Sequence, residues 1–414
     1  MRRPQLFENR DFTLLWSGEA LSELGSQTST VAYPLLVLAL TGSPAKAGIV
    51  GLAKWLPLAL FSLPAGVLAD RLNRKHLMIG CDAVRLLGAA SIVVALLAGE
   101  PAYAQVVVVA FLDGGLSVTS YIAERGALRQ VVAAGQLSDA VAANEARVYA
   151  AGIVGPSLGG VMFAAARSLP FAADAVSFLG STVAIIATRS RFQKLREPAG
   201  APSSQLLGET MEGFGWLRAQ PFYRTTALLF AAGNPVFTGM TLLAILLARH
   251  QHASAALIGL MLTLVSVGGL LGAALAGPLR RHVSVHALIA GEPWVALAVV
   301  LLLLVVHAPL LIGVLVGVAE FGAPATNSVV SGSRVAAAPD HLQGRVQAAA
   351  SMLSMSLAWL GPLAVGYLFE RAGASGTILA VAAWTLVLAV AATCAPSIRH
   401  HAPDGATASS AGAR

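Results

Sequence analysis

GVLADRLNRK, Gly66 to Lys75, stands between two long apolar runs. Asp70, Arg71, Asn73, Arg74 and Lys75 lie within it, and hydrocarbon cannot solvate such a group of side chains. The stretch is therefore a tight hydrophilic turn at a membrane face, with a spanning helix on either side. Its net positive charge says which face, because short loops rich in Lys and Arg stay on the cytoplasmic side. Gly66 is expected to let the two helix ends approach closely.

The composition agrees with a chain built around such turns. It is 56% hydrophobic and 11% charged over 414 residues, where a soluble globular chain carries roughly 25% charged residues. This is a polytopic protein of the cell membrane, the inner or plasma membrane of a bacterium, with the lipid bilayer as its main surrounding. A formal charge of +7 could indicate a nucleic-acid partner, but the bases sit in short loops rather than on one continuous face. They are topology signals, and no nucleic acid is expected. Cys81 and Cys394 lie far apart without metal-like or CxxC spacing, so neither a disulfide nor a metal site is expected. Walker, HExxH and GxSxG motifs are missing from the sequence, which argues against an enzyme, a cofactor or nucleotide-driven work.

A spanning helix needs about 20 mostly apolar residues. Twelve such runs can be read, centred on 12–40, 46–69, 76–98, 102–123, 138–165, 169–188, 222–247, 255–279, 285–306, 309–330, 346–369 and 374–395. With the N-terminus inside, Lys46, Arg167, Arg249 and Arg371 fall outside, Lys54, Arg85 and Arg147 fall within helices, and every other base falls inside. That bias places both termini in the cytoplasm. The expected organisation is a cytoplasmic N-terminus (1–11), a six-helix bundle (12–188), a cytoplasmic linker (189–221), a second six-helix bundle (222–396) and a disordered tail (397–414). Within the linker, GETMEGFGWLRAQP is expected to form a surface helix that sets Phe214 and Leu217 against the headgroups.

The halves are faintly self-similar, the mark of an internal repeat. Gly48, Gly66 and Gly80 recur with the spacing of Gly259, Gly277 and Gly291, and Gly155-Pro156 with Gly160 recurs as Gly361-Pro362 with Gly366. The second copy of the opening turn, GPLRRHVSVH, keeps Arg280 and Arg281 but lacks the acid.

The pattern G-x-x-x-D-R-x-x-R/K at Gly66 to Lys75 resembles the signature between the second and third helices of major facilitator transporters. The resemblance implies two pseudo-symmetric six-helix bundles, with Gly66, Asp70, Arg71, Arg74 and Lys75 forming a cytoplasmic latch between them. GIVGPSLGG, Gly152 to Gly160, resembles the G-x-x-x-G-P-x-x-G-G pattern of the proton-coupled exporters. Gly152, Gly155, Gly159 and Gly160 make a strip free of side chains on which another helix can pack, and Pro156 bends the helix, as suits a hinge. FENRDFTLLWSGEALSELGSQ, LRQVVAAGQLSDAVAANEAR and ADAVSFLGS are similar to the branch that holds macrolide-efflux and siderophore-export proteins. The likeness runs from Phe7 to about Glu370, with one departure: Ser26 stands where many relatives have an acid.

Ionisable groups within spans are candidates for function. Glu19 and Glu23 are four residues apart and share a helix face. Asp113 and Glu320 take nearly equivalent places in the two halves, and Arg147 requires an acid on the first or fourth helix. These five are the expected proton-coupling or substrate-cavity residues. Asp82 with Arg85 reads as an intrahelical pair near the cytoplasmic loop, Asp174 as a structural hydrogen-bonding residue, and Lys54 as snorkelling outward. The expected activity is export of a small, partly apolar organic molecule in exchange for protons by a monomer. An importer of the same fold and a membrane-embedded sensor are the alternatives.

Overall fold

The computed structural model describes residues 6–99, 101–192, 203–340 and 342–399, and among them there is no β-strand. The decisive turn is built by capping. α1 (Arg10–Thr41) begins at Asn9, whose side chain accepts from the N–H groups of Asp11 and Phe12, and it ends at Gly42 with φ 65°. α2 (Pro44–Arg71) is capped by Ser43. α3 (Arg74–Ala98) starts at Asn73, whose side chain accepts from the N–H groups of Lys75 and His76, so Asn73 is what makes the turn so short. A Cβ at Gly66 would meet nothing within 4 Å. No close approach at Gly66 therefore requires a glycine, contrary to the expectation from the sequence.

α4 (Tyr103–Val131), α5 (Leu137–Ala165) and α6 (Leu169–Ala187) complete the first half. α7 (Ser203–Ala219) follows, and then come α8 (Pro221–His250), α9 (Ala255–His282), α10 (Val285–Leu302), α11 (Pro309–Glu320), α12 (Ala323–Ala337), α13 (Gln343–Met355), α14 (Leu360–Cys394) and α15 (Pro396–Arg399). Among the described residues, ten stretches are long and apolar enough to cross a membrane, the longest being the 52 residues of Gln343–Cys394. α1 is not one of the ten, since Glu19, Glu23, Ser26, Gln27, Thr28 and Ser29 lower its apolar content. Inside α14, Gly373 has φ 68° and ψ −172°. Such a backbone ends one helix and starts another, where the sequence predicts two runs meeting between 369 and 374.

Two predicted spans are each interrupted. The predicted 309–330 run is α11 and α12, broken at Phe321-Gly322, and the predicted 346–369 run is α13 and the start of α14, broken at Ser356–Trp359. Side chains of α8 catch carbonyls that the second break frees: Asn234 donates to the Ser354 oxygen at 2.8 Å and Thr238 to the Ala358 oxygen at 2.7 Å. Non-helical backbone at membrane depth survives only where protein partners satisfy it in this way.

In the first half α1 lies along α6 and α5, α2 and α3 on α4, and α3 on α6; in the second, α14 packs on α8 and α10, and α9 on α11. Large apolar side chains remain exposed on the outside, among them Leu87, Val94, Leu97, Val176, Ile186 and Val305. They form the belt that faces lipid tails rather than water. At the end of the first half that carries the Gly66–Lys75 turn, Asp11 accepts from the Arg189 N–H at 3.0 Å and the Ser190 N–H at 2.7 Å. Partial burial alone would raise the Asp11 carboxyl, but the Ser190 hydroxyl and these two N–H groups hold it below the usual carboxylate range.

α7 differs from the expected headgroup helix. Leu217 is buried with Phe222, Tyr223, Ile289 and Val330 in a cluster of the second half, and Arg345 pairs with Glu212 at 2.5 Å. The linker helix is docked on protein because its apolar side finds an apolar partner there. The tail boundary moves as well: Pro396–Arg399 are helical with Ile398 buried, and the expected disorder of residues 400–414 lies outside the described residues.

Candidate functional site

Two groups of buried charges occupy the first half. In the first, Arg85 Nε donates to Asp113 Oδ1 at 2.7 Å and Arg85 Nη2 to Ser26 at 2.9 Å, while Lys54 Nζ engages the other Asp113 oxygen. Ser26 in turn donates to Asp174 at 3.4 Å, and the Arg85 guanidinium lies 4.2 Å from the centre of the Phe178 ring. Asp82 is 4.0 Å from Arg85. The Arg85–Asp82 pairing expected from the sequence is thus the looser one, since the planar guanidinium turns its fork toward α4 and α1. Lys54 does not snorkel outward, because a buried carboxylate within its reach is a better partner than the interface.

In the second group, Arg147 donates to both Glu124 oxygens, at 2.9 and 3.1 Å, and Asn144 adds a bond at 3.0 Å. Arg147 therefore finds its acid on the fourth helix, as the sequence requires. Glu23 accepts from Gln27 at 2.8 Å. Glu124, Asp82, Arg147 and Arg85 are the charged groups that act on Glu19. Arg125 and Glu145 form an exposed pair at 3.2 Å.

The second half encloses a cavity of about 430 Å³ between α8, α10, α11, α12, α13 and α14, lined by Phe230 and Phe237 with Asn234, Glu292, Glu320 and Arg334. Both helix breaks border it. Arg334 spends two donors on Gln347, at 3.0 and 2.7 Å. Glu292 and Glu320 face the cavity, and neither forms an ion pair among the described residues. Substrate sites of transporters commonly sit where helices are discontinuous and the backbone is irregular.

The halves meet along two seams. Gly48 of α2 abuts Gly366 and the Pro362 carbonyl of α14, and Gly259 of α9 abuts Gly160 and the Pro156 carbonyl of α5. The repeat seen in the sequence thus has a physical meaning: equivalent glycines pair crosswise between the halves, backbone against backbone. Ser157 and Thr263 share a hydrogen bond at 2.7 Å across the α5–α9 seam. Glu370 reaches over the α2–α14 seam to the Ser43 hydroxyl and, at 3.1 Å, to the Ala45 N–H. Of the other glycines of the α5 strip, Gly155 faces Gln27 and Gly159 faces Thr28 on α1, while Gly152 looks loosely toward α9, with Ser266 3.8 Å from a Cβ built there.

Both seams lie at the end opposite the Gly66–Lys75 turn. There Arg74 reaches Asp70 at 3.3 Å and the carbonyls of Ala69 and Gly126 at 3.0 Å. Lys75 donates to the carbonyls of Ile186 and Thr188, and Arg71 is exposed at the end of α2. The bonds of Arg74 and Lys75 thus stay within the first half.

The profile of the transmembrane secretion effector family matches residues 5–411 of the chain. The chain belongs to this family of major facilitator transporters. It is 30% identical over 397 residues to the multidrug efflux pump Tap of Mycolicibacterium fortuitum, covering 91% of this chain and 93% of that one. A 73-residue stretch is 36% identical to macrolide efflux protein A of Streptococcus pyogenes, 18% of each chain. The solved structure of a bacterial homologue of the human lysosomal transporter Spinster aligns with TM-score 0.72 at 14% identity, over 96% of this chain and 98% of the other. This major facilitator protein is therefore a multi-pass transporter of the cell membrane and not an enzyme.

Glu124 and Glu292 were not singled out in the sequence. Glu124 lies just past the predicted end of the fourth span, and Glu292 lies inside the predicted ninth, where the cost of an intramembrane carboxylate already marks it.

Proposed function

We propose that this transporter exports a small, partly apolar organic molecule, of drug, antibiotic or siderophore-like type, in exchange for protons. The observation that carries the proposal is the cavity of the second half, where Glu292 and Glu320 stand without an ion-pair partner among apolar side chains interspersed with polar ones. An apolar chamber with a few polar groups suits organic substrates, and a carboxylate free of a fixed counter-charge can take either a proton or substrate. The activities of the relatives, multidrug and macrolide efflux, support the direction of transport. Twelve crossings with both termini in the cytoplasm fit the cycle: the ten apolar stretches, α1, and the additional crossing that Gly373 creates. One chain contains both halves and the cavity, so a monomer suffices.

In this cycle the halves rock about the two seams, with Gly155-Pro156 beside the α5–α9 seam as a hinge, and the 66–75 turn latches the inner side when the outer side opens. Asp70→Asn is expected to reduce transport roughly tenfold, within the usual range of coupling energies, with normal insertion. Unchanged turnover would remove the latch role. The reaction itself is tested in proteoliposomes with an imposed pH gradient. Dye or antibiotic should move against the proton flow and stop with a protonophore; flux indifferent to the gradient would rule out proton antiport.

A further inference from the structure

Two complementary polar atoms of the first half are enclosed and have no hydrogen-bond partner: Glu19 Oε1, an acceptor, and Arg147 Nε, a donor. They belong to neighbouring helices, since α1 lies along α5, and each side chain is in the electrostatic reach of the other. Arg147 commits both terminal nitrogens to Glu124 and leaves Nε unused. A buried carboxylate anion without a donor is costly, whereas a neutral acid tolerates the same place far better. The unused donor nearby is the natural partner for that anion.

We propose that Glu19, Arg147 and Glu124 form a proton-operated switch, an assignment that rests on the antiport reading. With Glu19 protonated, Arg147 is held by Glu124 as seen here. Loss of the Glu19 proton to water leaves an anion, and the Arg147 Nε–H then bonds to Glu19 Oε1. Only that O–H bond breaks, and the guanidinium keeps all its protons. The exchange draws α1 and α5 together, and α5 further along its length packs on α9 of the other half, so protonation in one bundle bears on a helix of the seam between bundles. The charges that set the switch are Glu124 of α4, Arg147 of α5, and Asp82 and Arg85 of α3. Glu23 of α1 also acts on Arg147. On the remaining packed helices, Asp174 of α6 is turned to Ser26 and Lys54 of α2 is held by Asp113.

The deciding measurement needs no substrate. Infrared difference spectra of the purified full-length protein in lipid, taken between about pH 5 and about pH 9 to bracket shifted carboxyls, should show a protonated-carboxyl band. The Glu19 part of the band should vanish in Glu19→Gln and survive in Glu124→Gln. A spectrum unchanged by Glu19→Gln overturns the switch. The second measurement follows ethidium in proteoliposomes. Wild-type protein should move it under a pH gradient, while Glu19→Gln, shown to be folded by an unchanged thermal unfolding transition in detergent, should lose gradient-driven movement at least about tenfold. Glu19→Asp should recover part of the loss. If wild-type flux ignores the gradient, the antiport reading fails; if wild type is driven and Glu19→Gln is driven equally, antiport stands and the switch fails.

Discussion

Gly160→Ala should yield a protein that inserts and folds but scarcely transports. A Cβ at Gly160 would lie 2.9 Å from the Gly259 Cα and nearer still to the Ala255 carbonyl oxygen. These are backbone atoms, so no side chain can swing aside to make room. Overpacking of this kind costs about 1–3 kcal/mol, and here the seam can escape the cost by parting. The equilibrium between closed and open seam should therefore shift about 5–150-fold toward open. Spin labels on the outer ends of α5 and α9 would report the longer distance, and transport would fall because one half of the cycle is disfavoured. Gly48→Ala should act alike, since its Cβ would lie 3.1 Å from the Gly366 Cα and closer to the Pro362 oxygen. Gly80→Ala is the control, because nothing lies within 4 Å of a Cβ there. Normal transport and unchanged distances in Gly160→Ala would show that the seam does not act as a pivot.

Asp113→Ala should cost more in stability than any other single change in the first half. It removes the carboxylate that Lys54 and Arg85 share, with side-chain exposures of 22% and 7%. Breaking a buried pair by removing one partner costs ~3–5 kcal/mol, a large part of the ~5–15 kcal/mol that holds a typical domain together. Thermal unfolding in detergent should drop steeply and the yield of inserted protein with it, and the double variant Asp113→Ala with Lys54→Met should recover part of the loss. This outcome separates a structural from a coupling role. If Asp113→Asn leaves stability intact and abolishes only gradient-driven transport, Asp113 carries the proton and the structural account is overturned.

The architecture was readable because lipid imposes a simple rule on each stretch of chain. Runs of sufficient apolar length, separated by polar turns, give spans with little interference from tertiary detail, and even the turn at Gly373 lies where two predicted runs meet. Interruptions within a span were harder to read. FGA at 321–323 and SLAW at 356–359 remain apolar while the helix breaks, because hydropathy measures a residue's affinity for lipid and is blind to the hydrogen bonds that Asn234 and Thr238 supply from another helix.

Pairing among buried charges was legible only where reach allowed one answer. Arg147 had to find an acid on a neighbouring helix, and Glu124 is there. Arg85 had two acids within range, and sequence separation favoured Asp82, three residues away. Helix rotation instead sets Arg85 toward Asp113. Glycine spacing carried more than it first suggested: Gly48 with Gly259, and Gly160 with Gly366, are equivalent by repeat and meet crosswise in space, which composition alone cannot announce.

At the crosswise glycine contacts no flexible side chain lies between the two bundles, and Ser157–Thr263 and Glu370 bridge the seams beside them. Main chain rests directly on main chain, so the barrier cannot thin by degrees as a rotamer relaxes. Leakage of small ions past the shut face should accordingly be slight, and passage at this end has to come as a discrete step in which both lines of contact release together.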